Sequence, residues 1–230
     1  MIFVQDPSDL TMGPVAQAIR RKYRLDSGLM VPNLVGIRSL FVGEGPLRTD
    51  EYDPFASQTG QWDDYVGVVW FDGNIWHEHL FAGTTDPGKV AASANERGTA
   101  VMKPGQYVDA YAFGNHRGYP AIVNWGKVAP DYWRVRRVPG EPPTVVAEND
   151  EYIGLNIHRA RAKDKPAPEE VGPYSAGCQV IREYRDWDYF YNIVKELFTY
   201  AQAIHGVQYM TYTLLTTHDV TDTSQPQGAQ

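Results

Sequence analysis

The sequence predicts a β-rich α+β domain. Short apolar or alternating runs, separated by turns rich in Gly and Pro, fill most of the chain from Leu34 onward and are typical of strands. A long segment after Asp186 and a shorter one before residue 30 instead place apolar residues at helical spacing. A length of 230 residues suffices for one sizeable core. We therefore expect a mixed sheet or sandwich with an N-terminal helix and a C-terminal helix packed on the sheet.

The first element is a helical lead-in over residues 1–30, which we assign to the main domain. Asp9 or Thr11 could cap it, and Pro14 suits a first helical turn, where a missing amide proton does no harm. The Asp-Ser-Gly run at 26–28 ends it. Helical spacing is followed by Val15, Ala18, Ile19 and Lys22.

Strands follow the lead-in. Residues 65–71 and 74–81 flank Asp72-Gly73, which predicts a hairpin with a two-residue type I′ turn. Further strands are predicted at 107–113, 121–125, 132–138, 153–157 and 178–181. Two stretches without a regular pattern, 41–64 and 159–173, are long enough to shape a substrate cleft.

The last predicted helix begins after Asp186, which can cap it, and ends at Gly206. A final strand is predicted at 209–215. The polar tail at 217–230 contains few apolar residues, so we expect it to be flexible or bound to a partner. The helical spacing is carried by Phe190, Ile193, Val194, Leu197, Phe198 and Ala201.

Composition and charge exclude several classes of function. With 21 basic against 28 acidic residues the formal charge is −7, so no nucleic-acid partner is expected. No apolar run approaches the length of about 18 residues that a transmembrane helix needs. The N-terminus has neither a positive start nor a long apolar core, so we expect no signal peptide. A single cysteine excludes an intrachain disulfide and a cysteine-rich zinc site.

That cysteine, Cys178, follows three small residues, and His158 lies twenty positions before it. A thiolate is the reactive species of cysteine, and a nearby base can generate it at neutral pH. The amides of Gly177 and Cys178 could face a developing oxyanion. The competing interpretation is that Cys178 is an ordinary buried small hydrophobe.

These residues resemble a known signature. His158 followed by Cys178 within Ser175-Ala176-Gly177-Cys178 is similar to the histidine and the Ser-x-Gly-Cys turn of the L,D-transpeptidase catalytic domain. The resemblance implies that residues 31–216 form that catalytic domain. Further matching stretches lie at 35–38, 84–88, 103–107, 114–120 and 156–160.

The resemblance implies cysteine-dependent acyl transfer on peptidoglycan stem peptides, without a cofactor. Cys178 would be the nucleophile and His158 its base. A backbone carbonyl at Ser175 or its neighbour would orient the imidazole, and Gly177 would contribute to the oxyanion site. Substrate contacts would come from His116, Arg117, Tyr119, Asn156, Arg159 and Tyr174.

The sequence departs from the common family pattern at three places. Arg159 stands where a glycine usually follows the histidine, Ala176 where a histidine is frequent, and Gln179-Val180 where an aliphatic residue and an arginine are usual. Arg159 could favour the thiolate, pair with a substrate carboxylate, or simply be solvated.

Context favours a phage-associated enzyme that hydrolyses the wall. A wall-directed enzyme without an export signal must be released at lysis, carried in a phage particle or exported by another route. A particle-borne form would have other phage particle proteins as partners. The main alternative is a non-catalytic wall-binding or virion structural protein built on the same fold.

A metal-dependent peptidase is a second alternative. His77 and His79 share one face of a predicted strand, and Asp63-Asp64 or His116 could complete a zinc site. The zinc-peptidase pattern His-Glu-x-x-His is absent, so we expect no metal. Acidic residues for glycoside cleavage are plentiful but sit in no informative motif.

Overall fold

The computed structural model describes residues 11–39, 41–42, 45–46, 60–89, 96–138, 141 and 143–222. Over these ranges the chain is a mixed, strand-rich α+β fold with an N-terminal and a C-terminal helix, which confirms the predicted fold class. The strands are β1 Asn33–Arg38, β2 Phe41–Val42, β3 Gly45–Pro46, β4 Asp64–Phe71, β5 Trp76–Thr84, β6 Thr99–Met102, β7 Gly105–His116, β8 Tyr119–Val123, β9 Tyr132–Arg136, β10 Thr144–Glu148, β11 Ile157–Arg159, β12 Gln179–Ile181 and β13 Met210–Thr216.

Eight of these strands form a closed barrel in the order β1-β13-β7-β8-β11-β12-β5-β4. Most neighbours run antiparallel, but β1 is parallel to β13 and β11 is parallel to β12. A separate three-stranded sheet has the order β10-β9-β6. The sequence patterns located most of the barrel strands, whereas no range was predicted for β1, β2, β3, β6 or β10. Strands β2 and β3 lie within the stretch 41–64, which was expected to lack a regular pattern. The stretch 153–157 was predicted as a strand, but pairing starts only at Ile157.

Helix α1 spans Pro14–Lys22, with the predicted proline in its first turn. Its N-cap position is Gly13, and Thr11 instead accepts a hydrogen bond from the Trp76 amide. The other predicted cap, Asp9, lies outside the described residues. The buried face of α1 packs on one side of the sheet, against Val35, Ile37, Val69, Trp76 and Leu215.

Helix α2 spans Tyr184–His205 and ends at Gly206, whose φ of 69° gives the left-handed conformation expected of a helix stop. Its N-cap position is Glu183, and Asp186 lies in the first turn instead of capping the helix. The helix packs against the main core cluster, as predicted, through Trp187, Phe190, Val194, Leu197 and Phe198.

The β4–β5 hairpin is present, but its turn differs from the prediction. Phe71 pairs with Trp76, so four residues form the loop instead of two. The side chain of Asp72 accepts hydrogen bonds from the amides of Asn74 and Ile75, and these bonds stabilise the wider loop. A two-residue turn with both φ angles positive does occur, at Arg117-Gly118 between β7 and β8.

The beginning of the expected tail is ordered. Thr217–Thr221 forms helix α3, which starts with a capping box between Thr216 and Asp219. Asp219 also forms an ion pair with Lys22 at the end of α1. Positions 223–230 lie outside the described residues. None of the helices in the described part of the chain is long and apolar enough to cross a membrane.

Candidate active site

The parallel pair β11–β12 brings His158 and Cys178 together. His158 pairs with Val180, and Cys178 directly precedes β12, so the two side chains lie on the same face at diagonal positions. His116, at the end of β7, joins them. One ring nitrogen of each histidine and the Sγ atom of Cys178 all lie within 4.8 Å of one another.

The tautomer of His158 is set by a backbone carbonyl. Nδ1 lies 2.8 Å from the carbonyl oxygen of Arg159, which can only accept, so Nδ1 carries the proton and donates it. The lone pair is therefore on Nε2, which is buried and has no hydrogen-bond partner. The sequence analysis assigned the orienting carbonyl to Ser175 or its neighbour. The structure corrects this to the carbonyl of Arg159, the residue that follows His158 in β11.

The side chains of His158 and Cys178 are both neutral at pH 7. Burial, together with the positive charges of Arg117 and Arg159, lowers the pKa of His158 to about 3. Burial raises the pKa of the Cys178 thiol to about 11, although a hydrogen bond from the Asn156 amide and the charge of Arg117 act in the opposite direction. The resting site therefore holds a thiol and an imidazole, not a thiolate–imidazolium ion pair.

The thiol of Cys178 does not donate a hydrogen bond to His158. Sγ donates to the carbonyl oxygen of Gly154 at 3.3 Å, so the S–H bond would have to rotate before a proton could pass to the imidazole. Cys178 is 8% exposed and belongs to a small apolar cluster. The cluster is formed with Ala160, Val180, Tyr174 and Trp62. Trp62 was missed by the sequence analysis, and its indole nitrogen is buried without a partner.

The Ser-x-Gly-Cys turn is closed by its own serine. The Ser175 hydroxyl donates to the Cys178 carbonyl at 2.8 Å and accepts from the Gly177 amide at 3.1 Å. This overturns the expectation that the Gly177 amide faces an oxyanion. Among the described residues none accepts a hydrogen bond from the Cys178 amide, which leaves this amide of the turn able to donate to a bound ligand.

Gly177 is required for backbone geometry. Its φ is 125°, and a Cβ atom there would lie 2.5 Å from the carbonyl oxygen of Ala100 in β6. The three-stranded sheet therefore supports the turn that carries Cys178. Gln179, one of the departures from the family pattern, donates to the Gly177 carbonyl at 3.2 Å and accepts from Tyr212 in the barrel core.

The predicted substrate residues of β7, β8 and β11 do converge on the site. The ring of His116 stacks on that of His158, with centroids 4.2 Å apart. Asn156 donates to Nδ1 of His116 at 3.0 Å and accepts from the Asn124 amide, so it positions the histidine. The hydroxyl oxygen of Tyr119 lies 3.1 Å from Nδ1 of His158.

The remaining predicted contacts lie around this centre. Arg117 forms the tip of the β7–β8 hairpin and is exposed. The guanidinium of Arg159 stacks on the Tyr119 ring at 4.2 Å. Tyr174 packs near Cys178, and its hydroxyl accepts a hydrogen bond from Arg161.

A buried polar network connects β1 to the nucleophile turn. Arg38 donates to the side chain and carbonyl of Thr85 and lies 3.2 Å from Asp86. A few residues later, the Gly88 amide donates to the Ser175 carbonyl at 2.9 Å. Sequence analysis noted these stretches only through the family resemblance, because their contacts are long-range.

The geometry does not favour a metal ion. Within the described ranges, one group of three metal-ligating side chains is compact enough to be considered: His116, His158 and Cys178. An imidazole binds a metal through a lone pair in its ring plane. Because the two rings are stacked with an interplanar angle of 10°, an ion between them would lie out of both planes. His77 and His79 are not in this group; His77 bonds to Asp72 and His79 stacks on Tyr189.

Comparisons with known proteins add no assignment: no family model, no curated protein and no solved structure matches the chain. The resemblance to L,D-transpeptidases therefore stays a prediction from the sequence.

Proposed function

We propose that this protein is a cysteine-dependent acyl-transfer enzyme acting on peptidoglycan stem peptides. One observation carries the proposal. The Nε2 atom of His158 is buried, without a partner and in the basic tautomer, and one ring nitrogen of His158 lies within 4.8 Å of the Cys178 sulfur. An unsatisfied buried acceptor is costly for stability, so its retention beside a thiol supports a chemical role.

The first half of the reaction forms a thioester. As Sγ of Cys178 attacks the stem-peptide carbonyl, Nε2 of His158 takes the thiol proton. The oxyanion develops next to the Cys178 amide. The tetrahedral intermediate then collapses, the amide C–N bond breaks, and the imidazolium returns its proton to the departing amine.

The second half releases the enzyme. Water attacks the thioester for hydrolysis, or an amine of another stem peptide attacks it for cross-linking, and His158 again accepts the proton. The C–S bond then breaks, and the imidazolium returns the proton to Sγ of Cys178. We propose water as the acceptor, which would make the protein a hydrolase of the wall. It would act at the wall after lysis or from within the particle.

The substrate class rests on the sequence resemblance, and the proton chemistry rests on the geometry. One feature favours the non-catalytic competitor: Cys178 is almost fully buried and its pKa is raised. A wall-binding or virion structural protein could contain such a cysteine as a packing residue. An acyl-transfer enzyme would change the peptidoglycan chemically, whereas a binding or structural protein would leave it unchanged.

The experiment is mass spectrometry of purified peptidoglycan incubated with the wild-type protein and with Cys178→Ala and His158→Gln. His218→Gln is the matched control, because His218 is an exposed histidine of α3 outside the site. We expect new stem-peptide products with the wild type and His218→Gln, and a loss of at least about a hundredfold in both site variants.

The product masses identify the bond cleaved and the acceptor. Unchanged peptidoglycan with every protein, on several wall chemotypes and together with co-sedimentation on the wall, would overturn the catalytic proposal in favour of binding. Products that persist in Cys178→Ala would exclude the cysteine mechanism.

A further inference from the structure

A cavity lies away from Cys178, between the start of β1, the interior of β7, the end of α2 and the start of β13. Its volume is about 360 Å³, which falls within the range of small-molecule sites. Asp109 of β7 lines it, seven residues before His116 on the same strand. At about 3.4 Å per residue the two positions are roughly 20 Å apart, so the cavity is separate from the proposed acyl-transfer site.

The backbone of β7 is distorted where it borders this cavity. Asp109 has a φ of 54°, in the left-handed region that residues with a side chain seldom adopt. The pairing of β7 with β13 changes register between Met210 and Tyr212, and the Asp109 carbonyl accepts a hydrogen bond from the Lys127 amide at 2.7 Å. Bulges and strained residues of this kind re-aim side chains and are frequent at binding sites. Here the distorted residue contributes to the cavity wall.

The charges that line the cavity leave an excess of negative charge. Two carboxylates and one ammonium line it, and the ammonium of Lys127 pairs with Asp109 at 2.7 Å. Asp26 forms no ion pair with any of the described residues. One of its carboxylate oxygens accepts from the Gly28 amide at 2.9 Å, which leaves the other able to accept from a ligand. The end of α2 at Gly206 borders the same space and adds the negative end of the helix dipole.

The remaining walls combine apolar surface with hydrogen-bond acceptors. The hydroxyl oxygen of Thr211 accepts from the Asp109 amide at 3.4 Å and has a second lone pair. An ammonium group donates up to three hydrogen bonds and has no acceptor, so carboxylate and hydroxyl oxygens suit it. The apolar part of the wall suits an aliphatic body, and it is formed by Val31, Pro32, Val207 and Met210.

We propose that this cavity binds a small molecule with one cationic amine on a short aliphatic body. The ammonium would donate to the Asp26 carboxylate, beside the end of α2, and the body would contact the apolar wall. One positive charge on the ligand would balance the one carboxylate that Lys127 leaves uncompensated. Binding here requires neither Cys178 nor His158, so the proposal stands apart from the proposed function.

Pentylamine and 1-pentanol test the charge of the ligand. They are similar in length, but only pentylamine is cationic at pH 7. Each is titrated into the isotope-labelled 230-residue chain, and the backbone amide signals are followed by nuclear magnetic resonance. We expect millimolar pentylamine to shift the amides of Val31, Val207 and Thr211 in a saturable way. Pentanol should bind at least about tenfold more weakly, because it lacks a charged donor.

Two substitutions should change the affinity for pentylamine in opposite directions. Asp26→Asn removes the charge but keeps an oxygen that can accept from Gly28, so binding should weaken at least about tenfold. Lys127→Gln removes the cation that competes for Asp109, so binding should become tighter by about threefold. Asp188→Asn removes the same charge as the first variant from an exposed position of α2 outside the cavity, and it should leave the affinity unchanged.

Several results would overturn the proposal. These are equal shifts with pentylamine and pentanol, the same shifts with sodium chloride at equal ionic strength, and tighter binding of Ca²⁺ than of the amine at these amides. Equal weakening in Asp26→Asn and Asp188→Asn would also overturn it. If Asp26→Asn does not fold, unchanged affinity in Lys127→Gln decides against the site. Saturable, charge-dependent binding by a protein that leaves peptidoglycan unchanged would retain the cavity site and reject only the acyl-transfer function.

Discussion

At the scale of single residues, the site is a neutral thiol–imidazole pair. The Arg159 carbonyl holds the proton on Nδ1 of His158, and burial keeps the imidazole neutral. Burial also keeps Cys178 protonated. In the proposed mechanism, proton transfer would therefore accompany attack on the substrate, in contrast to cysteine enzymes that store a thiolate–imidazolium pair.

This charge state predicts the pH dependence of alkylation. Because burial raises the pKa of Cys178 to about 11, the thiolate fraction should be small at pH 7 and increase about tenfold per pH unit up to that value. We expect iodoacetamide labelling of the folded protein, followed by mass spectrometry from pH 6 to pH 10, to increase without a plateau.

The same protein in denaturing urea is the control, where the thiol should titrate near its ordinary pKa of about 8.5. A labelling rate that is already maximal near pH 6 would show a stored thiolate and contradict the neutral pair.

At the scale of elements, the position of Cys178 depends on a close approach between the turn at 175–178 and the three-stranded sheet. Gly177 lies against the carbonyl of Ala100 in β6, and Ser175 and Gln179 fix the turn from both sides. Strand β6 contributes no reactive group. Its role is to determine where the backbone before Cys178 can lie.

Gly177→Ala should therefore destabilise the folded protein. The methyl group would lie 2.5 Å from a backbone oxygen at a φ of 125°, so we expect the free energy of unfolding to fall by about 2–4 kcal/mol. Gly206→Ala is the matched control: its φ is also positive, but no atom lies within 4 Å of the added carbon, so about 1 kcal/mol is expected. Equal losses in urea denaturation would show that the Ala100 contact is unimportant.

At the scale of the whole molecule, the two ends of the described chain are joined. Asp219 in α3 accepts from the Thr216 amide at 2.8 Å and pairs with Lys22, and the Arg21 side chain donates to its carbonyl oxygen. Helix α1, the last barrel strand and α3 therefore form one packed unit. The tail, expected to be flexible from residue 217, instead begins as part of the fold.

Asp219→Ala should weaken the packing between α1, β13 and α3. Loss of the cap bond and of the half-exposed ion pair should lower the free energy of unfolding by about 1–2 kcal/mol. Hydrogen exchange of the α1 amides should become faster, because α1 loses its contact with α3. Glu196→Ala, an exposed change within α2, should leave both measurements nearly unchanged. Similar exchange in the two variants would contradict this role of Asp219.

The sequence by itself determined the local features. Apolar spacing located α1, α2 and most barrel strands, Pro14 and Gly206 marked a helix start and a helix stop, and the small residues around Cys178 identified the candidate nucleophile. These inferences succeed because periodicity, caps and residue chemistry act over a few neighbouring positions.

Only the tertiary structure decided the contacts between distant segments. The carbonyl that orients His158 belongs to Arg159 and not, as predicted, to Ser175 or its neighbour. The Gly177 amide donates to Ser175, and the ring of His116 stacks on that of His158. Barrel closure and the approach of β6 join segments tens of residues apart, and no local pattern encodes such pairings. The charge state of the site has the same origin, since burial by the whole fold keeps both the thiol and the imidazole neutral.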